Sequence, residues 1–230
     1  MITLGVLQHT DSEYLGLMED HFEGRNIRFH YIRPFTPGAT IPATAEGFAG
    51  LIVLGAGPRG AVSGDLLASL GPELRLIRDA IARQLPVVGL GLGAAMLAIA
   101  TGGGAEDTRL RLEVVRARRS DPAALGGMMP VEFPIVIYGR DRAILPPGAE
   151  ILATTTGNEP AVFRINNNCL GFIGHPGIKR AMIEDLVMEF DEAPEDITPG
   201  LVRLGEEQRA IADALTPIMV GVIKVTGWMG

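Results

Sequence analysis

The chain has 230 residues, 47% hydrophobic and 20% charged, with a formal net charge of −7 at pH 7. That length and balance predict one buried core in a single domain spanning residues 1–230, and they exclude a disordered chain. The negative charge excludes general nucleic-acid binding, which needs clustered Lys and Arg to neutralise phosphates. The single cysteine, Cys169, excludes an internal disulfide and fits a reducing compartment, so a cytoplasmic protein is expected. Met1 to Leu7 lack the basic segment and cleavage pattern of a signal peptide. No apolar run reaches the ~18–20 residues of a membrane span.

Short apolar runs alternate with amphipathic segments through the first half, the pattern of a parallel sheet with crossover helices. Ile2 to Leu7 predicts a strand. Ser12 to Phe22 predicts a helix, with Leu15, Met18 and Phe22 at helical spacing and Gly24 as its stop. Ile27 to Ile32 is a second strand, 34–42 a loop, and Leu51 to Leu54 a short strand apolar on both faces. A helix begins near Pro72, where proline is tolerated in the first turn, and Leu74, Ile77 and Ile81 share its apolar face. Val87 to Leu90 is the next strand, running through Gly91 into an Ala-rich helix, Ala94 to Ala100.

The basic cluster Arg109 to Arg119, interrupted by Glu113, reads as a strand with a solvated face. Further strands are expected at Val131 to Tyr138, Ile151 to Thr155, Ala161 to Ile165 and Cys169 to Ile173, then helices at Lys179 to Phe190 and Pro199 to Pro217. Residues 199–230 are expected to form a C-terminal helical extension. Ile211, Leu215, Ile218 and Val222 make an apolar stripe there, followed by exposed-looking Val225, Trp228 and Met229. Such a stripe predicts association, as a homo-oligomer or with a protein partner, unless it packs back on the core.

Two glycine turns are candidates for chemistry. Gly55-Ala-Gly57-Pro-Arg-Gly60 matches the dinucleotide fingerprint literally, but Pro58 and the turn-like residues 61–64 argue against the opening helix that fingerprint needs. Gly89-Leu-Gly91-Leu-Gly93, between a buried strand and a helix, has the spacing of a nucleophile elbow. There a sharp turn holds one residue above the sheet, and glycine at its apex offers no reactive side chain. A plain strand-to-helix turn with glycines for close packing fits the spacing equally well. His9, His21 and His30 show no metal-ligand spacing, so neither metal nor cofactor is expected.

Four segments, in order, resemble the glutaminase domains of class I glutamine amidotransferases, especially the GMP-synthase-like branch. Leu51-Ile-Val-Leu-Gly-Ala-Gly57-Pro is similar to that family's oxyanion loop, a strand ending in Gly-Gly-Pro. Residues 76–94 resemble its helix, strand and elbow, where the usual ending is Gly-Ile-Cys-Leu-Gly. Residues 145–153, Leu-Pro-Pro-Gly-Ala-Glu-Ile-Leu-Ala, resemble the segment before its last strands. Gly171-Phe-Ile-Gly-His175-Pro-Gly177 resembles its Gly-Phe/Val-Gln-Phe-His-Pro-Glu. The resemblance implies a three-layer α/β/α, flavodoxin-like, mostly parallel sheet. It also implies a degenerate site: Gly91 at the cysteine position, His175 retained, Gly177 at the acid position, and Tyr138-Gly139 where a Trp-His pair is common. The Gly57 and Leu92 amides match the family's oxyanion-hole pair.

Glutamine hydrolysis in that family needs a thiolate activated by histidine, with an acid holding the imidazole. Glycine cannot form the thioester, and losing such a nucleophile can cost about a million-fold in rate. A lone histidine at a strand end reads first as a hydrogen-bonded structural group. Cys169 precedes His175 by six residues of extended chain, roughly 20 Å away, and reads as a buried small hydrophobe.

Three functions remain open. The first is a non-catalytic, regulatory relative bound to a synthetase-type partner. The second is a hydrolase or amidotransferase acting on glutamine or a gamma-glutamyl compound without a covalent intermediate, with His175 as base and the Gly57 and Leu92 amides holding the oxyanion. The third is a module that captures an anion or nucleotide at the vacated elbow.

Overall fold

The computed structural model describes residues 2–195 and 197–229. Eleven strands and five α-helices form among them. In chain order they are β1 (Thr3–Leu7), α1 (Met18–Glu23), β2 (Arg28–Ile32), β3 (Leu51–Val53), α2 (Leu70–Ala82), β4 (Val87–Leu90) and α3 (Leu92–Ala100). There follow β5 (Gly104–Glu106), β6 (Arg111–Arg119), β7 (Glu132–Gly139), β8 (Arg142–Ile144), β9 (Glu150–Thr155), β10 (Pro160–Ile165) and β11 (Cys169–Phe172). The helices α4 (Arg180–Glu189) and α5 (Ile197–Thr226) come last.

Nine strands make one sheet in the order β2-β1-β3-β4-β11-β10-β9-β6-β7. The first five pair in parallel, and every pairing from β11 to β7 is antiparallel. The parallel half has the flavodoxin-like order, and its inner strands β3, β4 and β11 are buried on both faces because helices cover both. Alternation along each strand divides the core. Val88 of β4 joins Met18, Phe22 and α5 on one side, while Val87 joins Leu76, Ile77 and α3 on the other. The expected three-layer α/β/α arrangement is therefore present, with an antiparallel extension. β5 and β8 pair as a separate small ribbon.

Two departures from the expected elements bear on function. The helix expected from Ser12 begins only at Met18; residues 8–17 form a loop, and Gly16 adopts φ 61°, outside helical geometry. That loop turns Glu13 into the interior. The last helix does not stop at Pro217. It continues to Thr226, although an interior proline removes one hydrogen bond and costs about 3 kcal/mol or more. Buried Ile218, Met219, Val222 and Ile223 hold the helix across that break.

This overturns the reading of the C-terminal stripe as an exposed interface. Ile211, Leu215, Ile218 and Val222 are buried, and α5 packs across β6 and β7. Trp228 is buried too: its ring meets Phe22 edge-on, 5.9 Å between centroids, and its indole N–H donates to the Ala49 carbonyl. Met229 alone of the expected surface group is prominently exposed.

Candidate functional site

The carboxyl ends of β1, β3, β4 and β11 converge, which is where ligands bind in open parallel sheets. The three elbow glycines serve two different purposes. A Cβ at Gly89 would lie 2.3 Å from the Gly93 carbonyl oxygen, and one at Gly93 would lie 2.0 Å from that of Val53. Both are therefore glycine because backbone packs against backbone. Gly91 is different: a Cβ there meets nothing closer than the Gly55 Cα at 3.6 Å, an ordinary contact. Its backbone, φ 55° and ψ −118°, is one that L-residues rarely adopt. The elbow has room for a side chain at its apex and carries none.

His175 follows β11 and is buried. Its Nδ1 accepts the Gly177 amide at 3.1 Å, so Nε2 carries the proton and donates to the Tyr14 carbonyl at 2.7 Å. Burial brings its pKa down to about 4, the Tyr14 contact only partly opposing. The ring is thus neutral with both nitrogens committed to backbone, and no lone pair remains to accept a substrate proton. At Gly177 a Cβ would lie 2.9 Å from Met18 Cγ and 3.1 Å from the Met18 nitrogen. The start of α1 occupies the space a glutamate would need.

The residue that sequence reasoning missed is Glu13. Its carboxylate is buried, and Oε2 accepts the Gly57 amide at 3.1 Å. Oε1 sits against Gly55, where a Cβ would lie 2.0 Å from it. Burial pushes its pKa up to about 7; the Gly57 hydrogen bond and the His9 charge oppose this, while Glu189 adds to it. Thus one of the two amides expected to hold an oxyanion already has a carboxylate on it. No motif flags Glu13, because an acidic residue after a strand normally reads as loop surface.

A second buried group fixes the Gly55 turn. His9 Nδ1 donates to the Gly55 carbonyl at 2.8 Å, and Nε2 meets Glu73 of α2 at 2.6 Å, with both side chains fully buried. Burial alone would lower the His9 pKa, but the Glu73 charge and hydrogen bond outweigh it and raise it. Since the carbonyl can only accept, His9 is an imidazolium when Glu73 is ionised. The second Glu73 oxygen, Oε1, has no partner among the described residues.

The antiparallel half closes the site from the other side. Asp141, after β7, accepts the Ala61 and Val62 amides at 2.6 and 2.9 Å and also binds the Ser63 hydroxyl. Arg140 lies against Gly64 and pairs with Glu192. Two cavities touch Gly91. One, lined by Glu13, Tyr138 and His175 among others, holds about 10 Å³; the other, by Leu92, Tyr138 and Arg140, about 20 Å³. Each has space for about one water, whereas small-molecule pockets run to roughly 300–1,000 Å³. The Tyr138 hydroxyl is buried without a partner among the described residues, and its pKa is pushed up to about 12 by burial and the neighbouring Glu13 and Glu192.

The remaining candidates resolve simply. No helix opens at Gly60: residues 54–69 form a loop with one short bridge, Gly60 to Leu66, and α2 starts at Leu70, so the dinucleotide geometry is absent. Cys169 begins β11, at the far end of that strand from His175, and burial pushes its thiol pKa up. Among the described residues no cluster of His, Cys, Asp and Glu is arranged to hold a metal ion, and no helix is long and apolar enough to cross a membrane.

No family model matches the chain, and no curated protein matches it. Solved structures do. A glutamine amidotransferase from Methylobacillus flagellatus superposes with a TM-score of 0.77 at 24% identity, over 97% of this chain and 95% of that one. A glutamine amidotransferase from Thermotoga maritima gives 0.80 at 20%, over 98% of each chain. A candidate GMP synthase component from Thermoplasma acidophilum gives 0.61 at 14%, over 91% of this chain and 98% of that one. With its flavodoxin-like parallel half, its elbow and its antiparallel extension, the chain has the fold of the class I glutamine amidotransferases.

Proposed function

We propose that the chain is a glutamine amidotransferase-like protein without covalent glutaminase chemistry, acting as a non-catalytic or regulatory component of a synthetase-type partner. One observation carries the loss of chemistry: the elbow apex is Gly91, and the histidine beside it has both ring nitrogens bound to backbone. A thioester route needs a thiolate at the elbow and a free base beside it; Gly91 supplies no thiol, and His175 has no free lone pair. The same hydrogen bonds weigh against the non-covalent route, because His175 cannot take a proton from water without breaking its contact to Gly177. The partner reading rests on likeness to the candidate GMP synthase component, which by its name is one part of a larger enzyme.

The test is release of ammonia from glutamine and gamma-glutamyl amides by the purified chain, beside recovery of a synthetase when the chain is isolated from its own cells. The expected outcome is no turnover above the water rate together with a co-purifying synthetase. Slow turnover lost in His175→Ala would instead support the non-covalent hydrolase.

A further inference from the structure

Residues 8–17 are the feature of this site that composition and motif leave unexplained. Four separate contacts seat them. The Asp11 and Ser12 amides donate to the Glu189 carboxylate, the Leu15 amide to the Tyr31 hydroxyl, the Leu17 amide to the Gly177 carbonyl, and His175 to the Tyr14 carbonyl. Together they deliver one acidic side chain, Glu13, onto the Gly57 amide. Burying a carboxyl group is costly, so the chain holds it there against a penalty visible in its raised pKa. That carboxylate accepts the Gly57 amide and lies against Gly55, on the turn that His9 and Glu73 hold in place. Beside it lies the small cavity lined by Tyr138, whose hydroxyl has no partner among the described residues.

We propose that Glu13 is a built-in carboxyl ligand of the pocket beneath the Gly91 elbow: it occupies the Gly57 amide that would otherwise receive the C=O or carboxylate of a small external acid or amide. The pocket is therefore self-occupied and closed while the 8–17 loop is docked, and its ligand class is small monocarboxylates once Glu13 is removed. This goes beyond the reading of the chain as non-catalytic. It concerns what fills the site, and its test does not depend on turnover, so either reading can fail without the other.

The experiment is thermal unfolding of Glu13→Ala in sodium formate against sodium chloride of equal ionic strength, beside the unmodified chain. Formate supplies the carboxylate without the stem and fits the space that the truncation leaves. At ten times its dissociation constant it is expected to raise Tm by roughly 3–6 °C in Glu13→Ala and not in the unmodified chain. A folded variant showing no formate-specific shift, or an equal shift in both proteins, would overturn the proposal. Should Glu13→Ala fail to fold, the isosteric Glu13→Gln replaces it, read by NMR. The Gly57 amide proton should shift with pH as the Glu13 carboxyl titrates, and that dependence should vanish in Glu13→Gln. A Gly57 amide indifferent to both would equally overturn it.

Discussion

The His175 imidazole donates from Nε2 to the carbonyl of Tyr14 at 2.7 Å, and Tyr14 is the immediate neighbour of Glu13. One loop thus engages His175 and places a carboxylate on the Gly57 amide. Gly177 makes this docking feasible, since a side chain there would collide with Met18. Gly177 and the inward turn of the 8–17 loop are thus parts of one arrangement.

Placing cysteine at position 91 and glutamate at position 177, where the resemblance would have them, should not create a glutaminase. Gly91→Cys is expected to cost about 1–3 kcal/mol from backbone strain alone, since its Cβ would meet only an ordinary contact. Adding Gly177→Glu should cost more, by forcing the 15–18 segment away. Ammonia release should stay at background in both variants. Urea unfolding gives the first number, and appreciable glutaminase activity in the double variant would refute the account.

Two buried groups act in opposite directions on the pH dependence of stability. The folded chain holds the Glu13 proton more tightly than the unfolded chain between the ordinary 4.5 and about 7, so this group makes stability fall as pH rises through that window. His175 acts oppositely: with its pKa depressed to about 4 from 6.5, it contributes stability that is present above 6.5 and lost as pH falls toward 4. In Glu13→Gln the first contribution is removed and the second remains. Relative to the unmodified chain, that variant should gain about 3 kcal/mol between pH 4.5 and 7. A constant difference across that range would show that Glu13 is not held in a costly environment.

The His9–Glu73 pair is fully buried, so removing one partner strands the other. Glu73→Gln or His9→Phe is expected to cost roughly 3–5 kcal/mol each, while the combined change costs less than the sum. A double-mutant cycle in chemical denaturant measures the coupling. Additive effects would mean that the two side chains do not act as a pair.

Trp228→Ala should destabilise by about 3–5 kcal/mol, as expected for a buried aromatic, and leave the sedimentation behaviour of the folded protein unchanged. Dissociation of an oligomer with little loss of stability would return the C-terminal segment to the role of an interface.

The parallel half of the fold was legible because its signals are local. Val87 to Leu90 is a continuous apolar run bounded by a proline and a glycine, and the structure gives β4 those same limits. Gly91 was legible for the same reason, as the middle of a strand–turn–helix spacing. The loop from 8 to 17 was not. Leu15, Met18 and Phe22 lie at helical spacing and all three are buried, so periodicity suggested one helix. Gly16 and the contacts to Gly177, Tyr31 and Glu189 override it, and each involves a residue or partner distant in sequence. Pro217 misled in the other direction, because a local helix breaker yielded to four buried neighbours. Glu13 was invisible because a buried carboxylate is identified by its surroundings and never by its type.

The elbow also behaves asymmetrically under substitution. Gly89 and Gly93 tolerate no Cβ, so two of its three glycines are held by sterics. The apex is held only by a torsional preference, and that preference favours glycine. A Cβ placed at position 91 would fit the space yet sit in a conformation the backbone resists. The turn thus constrains its flanks by contact and its apex by backbone conformation alone.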